Sequence, residues 1–205
     1  MNSDLIKAVI FDMGGVFIQT KDKNPRLKLA EKYGMSYEDL SKLVFQSETA
    51  QLATLGEVNE KVHWQFVVNQ LNLTSTELKE FQDAFWGGDV LDQDLIEFSL
   101  ELKEKYPIGL LSNAWSGARD LLTRKFDFLH VFDVSVFSAE VGLAKPDPKF
   151  YHWILNKFSL QPHEAIFVDD FIENIDAANL LGFRTVHFKS TDQAIRNIKE
   201  MLNIN

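Results

Sequence analysis

The residues of this chain best equipped for chemistry are two aspartate stations, a serine and a lysine. Asp12 stands in Phe11-Asp12-Met13-Gly14-Gly15, Ser112 precedes Asn113, Lys145 opens Lys145-Pro146-Asp147-Pro148, and Asp169 precedes Asp170. A carboxylate can serve as a nucleophile and, with a second one, as an oxygen ligand for a hard divalent cation. A hydroxyl, backbone N–H groups and an ammonium can together neutralise the equatorial oxygens of a phosphoryl group in transfer. Each station taken singly also has a structural explanation. Asp before Gly-Gly makes a turn, Ser-Asn caps a helix, Lys-Pro-Asp-Pro turns the chain, and paired aspartates complement a helix dipole. Structure alone does not require all of them at one edge of one sheet.

The elements that must place them there can be read from the apolar runs. Segments 8–11, 108–111, 165–168 and 185–188 read as buried parallel strands, with 134–137 as a fifth. Helix-like stretches at 95–106, 150–158 and 173–181 lie between them, the last closed by Gly182. Strands alternating with helices predict a parallel α/β sheet covered on both faces, whose ligands sit beyond the carboxyl ends of the strands. The stations fall at or near those ends. Residues 19–88 instead show helical periodicity without convincing strands. Ser36 with Asp39, and Thr74 with Glu77, mark two helix starts, and Asn24-Pro25 opens an earlier helix that stops at Gly34. The expected organisation is a Rossmann-like core from residues 1–18 and 89–205, carrying a small all-helical cap domain from 19–88 after the first strand.

The motifs FDMGGVF, LLSNA, GLAKPDP and FVDDFIENI, in this order, resemble the four signature motifs of the haloacid dehalogenase-like superfamily. With Gly56-Glu57-Val58, they look most similar to the group containing α-D-glucose-1-phosphate phosphatase. The phosphatase domain of soluble epoxide hydrolases is a more distant relative. The resemblance implies a magnesium-dependent phosphatase in which Asp12 attacks phosphorus and forms an aspartyl-phosphate. Asp12, the backbone carbonyl of Gly14 and Asp170 would hold the Mg2+, with Asp169 ranked behind Asp170. Ser112 and the backbone N–H of Asn113 would hold a phosphate oxygen, Lys145 would screen Asp12 from the substrate's charge, and Asn174 would orient the metal site.

One departure stands out. Most phosphatases of that superfamily carry a second aspartate two residues after the nucleophile, as general acid and base, and this chain has Gly14 there. A positioned acid is worth about 10²–10⁴ in rate. A substrate with a better leaving group, such as a sugar 1-phosphate or an acyl phosphate, would need that acid less. An acid supplied by the helical insertion is another route, with His63 as a candidate against the simpler expectation of a solvated helix residue. His63, Trp64, Phe66, Phe85 and Trp86 are the insertion's candidate substrate contacts, with Trp64 and Phe85 read first as packing residues. Trp115 either lines the pocket or packs at a helix entry. Two other functions stay open, a metal-free haloacid dehalogenase and a non-catalytic phosphate-binding relative.

Composition narrows the rest. The net charge of -9, without a Lys/Arg-rich run, offers no electrostatic footprint for nucleic acid or an anionic membrane. The absence of cysteine excludes disulfides, thiolate metal sites and a cysteine nucleophile. No apolar segment approaches membrane-spanning length. The expectation is a cytoplasmic protein, monomer or homodimer, with a small phosphorylated substrate as its partner.

Overall fold

The computed structural model describes residues 5–204. In chain order it opens with β1 (Ala8–Phe11) and the short β2 (Ile18–Thr20), followed by the helices α1 (Asn24–Lys32), α2 (Tyr37–Phe45), α3 (Glu48–Thr54), α4 (Glu60–Leu71) and α5 (Ser75–Phe85). The strand β3 (Asp89–Leu91) leads into α6 (Gln93–Lys103), β4 (Ile108–Ser112), α7 (Ala118–Lys125), β5 (Val134–Phe137) and α8 (Ser138–Val141). The chain closes with α9 (Pro148–Phe158), β6 (Ala165–Asp169), α10 (Ile172–Leu181), β7 (Arg184–His187) and α11 (Thr191–Leu202).

The main sheet is parallel throughout, in the order β5-β4-β1-β6-β7. The chain therefore runs from β1 outward through β4 and β5, then returns to the other side of β1 for β6 and β7. The carboxyl end of β1 is the place where strand order reverses, which is where such sheets bind ligands. β1, β4 and β6 are buried along their whole length, because helices cover both faces. Successive side chains alternate between two apolar layers: Val9, Phe11, Leu110 and Val168 pack with α6 and α11, whereas Ile10, Leu111 and Phe167 pack with α9 and α10.

All of the apolar runs read as strands are strands. β4 and β6 each extend one residue further than hydrophobicity alone indicates, so that Ser112 and Asp169 end their strands. α6 starts earlier than its apolar periodicity suggests because Asp92 caps it, accepting from the N–H of Leu95 at 3.0 Å. It also stops earlier, at Lys103, as the chain turns towards β4.

The segment between β2 and β3 is helical and has its own apolar cluster, formed by Leu29, Leu40, Val44, Trp64, Val67, Phe81 and Phe85. Its helix starts follow the sequence signals. Ser36 accepts from the N–H of Asp39, Thr74 and Glu77 form a reciprocal capping box, and Pro25 lies in the first turn of α1. The sequence shows no strand at its root, yet β2 and β3 pair antiparallel there, Ile18 opposite Leu91. Three residues are too few for an alternation to be visible. Side-chain bonds fasten this pair at both ends. Asp89 accepts from Thr20 and Arg26 on the helical side, while Asp92 accepts from Gln19 and from Thr191 of α11 on the sheet side. Among the described residues, no helix is long and apolar enough to cross a membrane.

Candidate active site

Asp12 follows β1 directly, and its backbone N–H donates to Val168 of β6 at 2.8 Å. That bond sets the nucleophile candidate beside the end of β6, where Asp169 and Asp170 lie. The ammonium of Lys145 is buried between the two strands' carboxylates, 2.6 Å from Asp12 Oδ1 and 2.6 Å from Asp169 Oδ2. Its side chain is 1% exposed. Ser112, also buried, ends β4 on the other flank of β1. The structure thus brings Asp12, Ser112, Lys145, Asp169 and Asp170 to one sheet edge.

The neighbouring aspartates have different surroundings. Asp169 is fully buried and saturated: Oδ1 accepts from the N–H of Phe171 at 2.8 Å, Oδ2 accepts from Lys145, and Asn174 Nδ2 lies 3.1 Å from both oxygens. Asp170 Oδ1 is buried with no hydrogen-bond partner among the described residues. Oxygens of Asp12, Asp169 and Asp170 all lie within 4.8 Å of one another. A cation added here would find free lone pairs on Asp170 and on the second oxygen of Asp12, but a carboxylate already occupied at Asp169. Asn174 was expected to orient the metal site in general; its contacts are to Asp169.

Charge bookkeeping gives the same picture. Burial, offset by Lys145 and reinforced by Asp169, pushes the Asp12 carboxyl up to about 7. Burial, and next the charge of Asp169, push Asp170 up to about 6. Burial works against the Lys145 charge, but Asp12 and Asp169 outweigh it and hold the ammonium above the ordinary lysine value. Three carboxylates against one ammonium leave an excess negative charge in a buried site, and a divalent cation is the species that would offset it. The donor set and the orphaned oxygen therefore fit a hard divalent metal.

Two glycines shape the approach. Gly15 has φ +77, and a Cβ there would collide with the Asp170 carboxylate, so that turn admits no side chain. Gly14 is different: a Cβ would meet nothing within 4 Å. The missing acid at that position reflects the sequence and not a lack of room.

Candidates in the helical region fare differently. His63 is not solvated. It is completely buried, with Nδ1 3.0 Å from Thr49 Oγ1 and Nε2 without a partner among the described residues. Burial lowers its pKa below the ordinary histidine value. The single-helix pattern could not show this, because the covering groups come from elsewhere: Trp115 places its ring 4.7 Å from the imidazole. Trp115, three residues beyond Ser112, reaches into the insertion's aromatic cluster and also meets Trp64 edge-on at 5.5 Å. Trp64 and Phe85 are buried packing residues, and Phe66 and Trp86 pack partly buried against the same cluster.

Two residues beside the site went unnoticed in the sequence. His187 Nε2 lies 3.0 Å from the carbonyl of Asp170, and buried Tyr151 donates to the carbonyl of Asn174 at 3.0 Å. His187 ends β7, so the strand-end rule would have found it had the apolar run been cut at Val186. Tyr151 lies within α9 and carries no local signal.

Comparison with known proteins adds a family and a fold. The model of the haloacid dehalogenase-like hydrolases matches residues 6–182. The D-ribitol-5-phosphate phosphatase of Bacteroides thetaiotaomicron is 27% identical over 191 residues, 88% of this chain and 91% of that protein. Bifunctional epoxide hydrolase 2 of Rattus norvegicus is 28% identical over 116 residues, 54% of this chain; the match spans 21% of the length of that relative. Among solved structures, a Bacteroides thetaiotaomicron enzyme of the same family, crystallised with magnesium and inorganic phosphate, superposes with a TM-score of 0.73 at 21% identity, covering 91% of this chain and 96% of its own.

Proposed function

The chain belongs to the haloacid dehalogenase-like hydrolases, and we propose that it is a magnesium-dependent phosphatase of a small phosphorylated metabolite, most plainly a sugar phosphate. The observation that carries this reading is the buried Lys145 ammonium shared by Asp12 and Asp169, beside the unpartnered oxygen of Asp170. The same oxygen weighs against a metal-free dehalogenase, which would leave it buried and unsatisfied. Sugar-phosphate substrates are supported by the ribitol-phosphate relative; a sugar 1-phosphate rests on the motif resemblance to the α-D-glucose-1-phosphate phosphatase group and on Gly14.

In this proposal Lys145 lies against Asp12 and screens its charge, and one carboxylate oxygen of Asp12 attacks phosphorus while the other faces the metal. The new bond joins Asp12 to phosphorus, the bond to the leaving oxygen breaks, and that oxygen departs with the electron pair and takes a proton from solvent. Water then attacks phosphorus and gives a proton to solvent, the bond between Asp12 and phosphorus breaks, and phosphate and the Asp12 carboxylate are released. Ser112 and the backbone N–H of Asn113 receive the phosphoryl oxygens. Asp12, the Gly14 carbonyl and Asp170 would hold magnesium, which when bound supplies positive charge against the charge developing on those oxygens. Residues 19–88 form the cap that selects the substrate, and residues 1–18 with 89–205 form the catalytic core.

The test is phosphate release from sugar 1-phosphates, other sugar phosphates, acyl phosphates and a simple alkyl phosphate, with magnesium and with EDTA. Metal-dependent release that favours the better leaving groups supports the proposal. Equal turnover of the alkyl phosphate removes the leaving-group argument drawn from Gly14. Because the Gly14 position is open, Gly14→Asp should narrow the gap between alkyl and sugar 1-phosphates, by at most the 10²–10⁴-fold or so that a positioned acid supplies.

A further inference from the structure

We infer that the side chain of Asn113 is the positioning residue for Lys145, acting through the lysine's backbone and not by touching substrate. Asn113 Oδ1 accepts from the Lys145 N–H at 2.8 Å, and Asn113 Nδ2 donates to the Lys145 carbonyl at 2.9 Å. These two bonds require opposite ends of one amide, so only one orientation of the side chain satisfies both. Among the described residues no backbone group bonds either the N–H or the carbonyl of Lys145. The residue is outside any helix or strand, and Pro146 after it has no N–H to offer. One side chain therefore supplies both anchors of the peptide from which a flexible four-carbon stem must carry Nζ to a point 2.6 Å from each of two carboxylates.

The arrangement couples two stations that are separate in sequence. Asn113 follows Ser112 at the end of β4, so the loop that offers its backbone N–H to a phosphate oxygen also fixes the base of the lysine. Each end of the amide makes one bond to Lys145, and those two bonds fix its plane. A shift of about 1 Å in a reacting or screening group can cost about 10²-fold in rate, and that makes such an anchor worth testing.

The kinetic part of the test rests on the phosphatase reading; the structural part does not. Asn113→Ala keeps its backbone N–H while deleting the amide. It should lower kcat about 10- to 100-fold with KM changed less than about threefold. The crystal structure of the variant should show Nζ displaced from Asp12, from Asp169 or from both. Asn113→Asp, which keeps the acceptor but turns a carboxylate oxygen towards the Lys145 carbonyl, should displace Nζ as well. A raised KM with unchanged kcat would mean that the amide touches substrate, and Nζ unmoved in Asn113→Ala would overturn the inference whatever the kinetics. If the unaltered protein releases no phosphate from any substrate, the proposed function fails, while the position of Nζ still decides the role of Asn113.

Discussion

At the sheet edge three carboxylates and an ammonium are buried together and held by directed bonds, whereas in the helical insertion a single imidazole is buried among aromatic rings with one ring nitrogen left unpartnered. These two ways of burying an ionisable group make opposite demands on pH. Burial pushes the Asp12 carboxyl up to about 7 and that of Asp170 up to about 6, well above unfolded carboxyl groups. Between the unfolded value, about 3.9, and those folded values the native state binds more protons, so their contribution to stability falls as pH rises. His63 has a folded pKa below its unfolded value of about 6.5. There the unfolded state binds more protons, and its contribution is intact above about 6.5 and lost as pH falls. Burial favours the protonated, neutral carboxyls and a cation in one region, and the neutral, unprotonated imidazole in the other.

The largest expected effect is on the sheet edge. Lys145→Met leaves two buried carboxylates facing each other and should destabilise the metal-free protein by about 3–5 kcal/mol in urea unfolding near neutral pH. A loss below about 1 kcal/mol would show that the site relaxes by taking up protons and would weaken the contrast between the regions.

Magnesium binding comes next. At 100 times its Kd the ion should stabilise the fold by about 2.7 kcal/mol. The rise in Tm should be greater at pH 7.5 than at pH 5.5, because protons compete for Asp12 and Asp170 below their folded values. Asp170→Asn should abolish most of this rise. An equal shift in that variant would assign the ion to Asp169, against the hydrogen-bond count.

The smallest effect belongs to the insertion. His63→Leu should flatten the part of the decline in Tm seen between pH 7 and pH 5 that protonation of the imidazole causes, and leave the magnesium shift unchanged. If it altered the magnesium shift instead, the two regions would be energetically coupled through Trp115.

The difference between the regions also explains what the sequence made legible. Asp12, Ser112, Asp169 and Asp170 are polar groups at the ends of apolar runs, and a strand end is a local feature, so the sequence places them at one edge; Lys145 lies beyond β5 and α8, and only its Lys-Pro-Asp-Pro motif marks it. Which of the two adjacent aspartates is free for a cation depends on Phe171 and Asn174, contacts that spacing does not display. In the insertion, Ser36 and Thr74 located helix starts well, since capping is local. The fate of His63 was not legible, because its burial is completed by Thr49 and Trp115, residues far from it in the chain. The β2–β3 pair was missed for the same reason: its partners are separated by the whole helical segment.

In the proposed reaction Asp12 is the nucleophile of a phosphoryl transfer. The most direct measurement is an acid quench of the protein reacting with a radiolabelled acyl phosphate in the presence of magnesium, followed by peptide mapping. Label is expected on Asp12, with none after EDTA treatment and none in Asp12→Asn. Phosphate release that persists in Asp12→Asn, or label recovered on another residue, would contradict it.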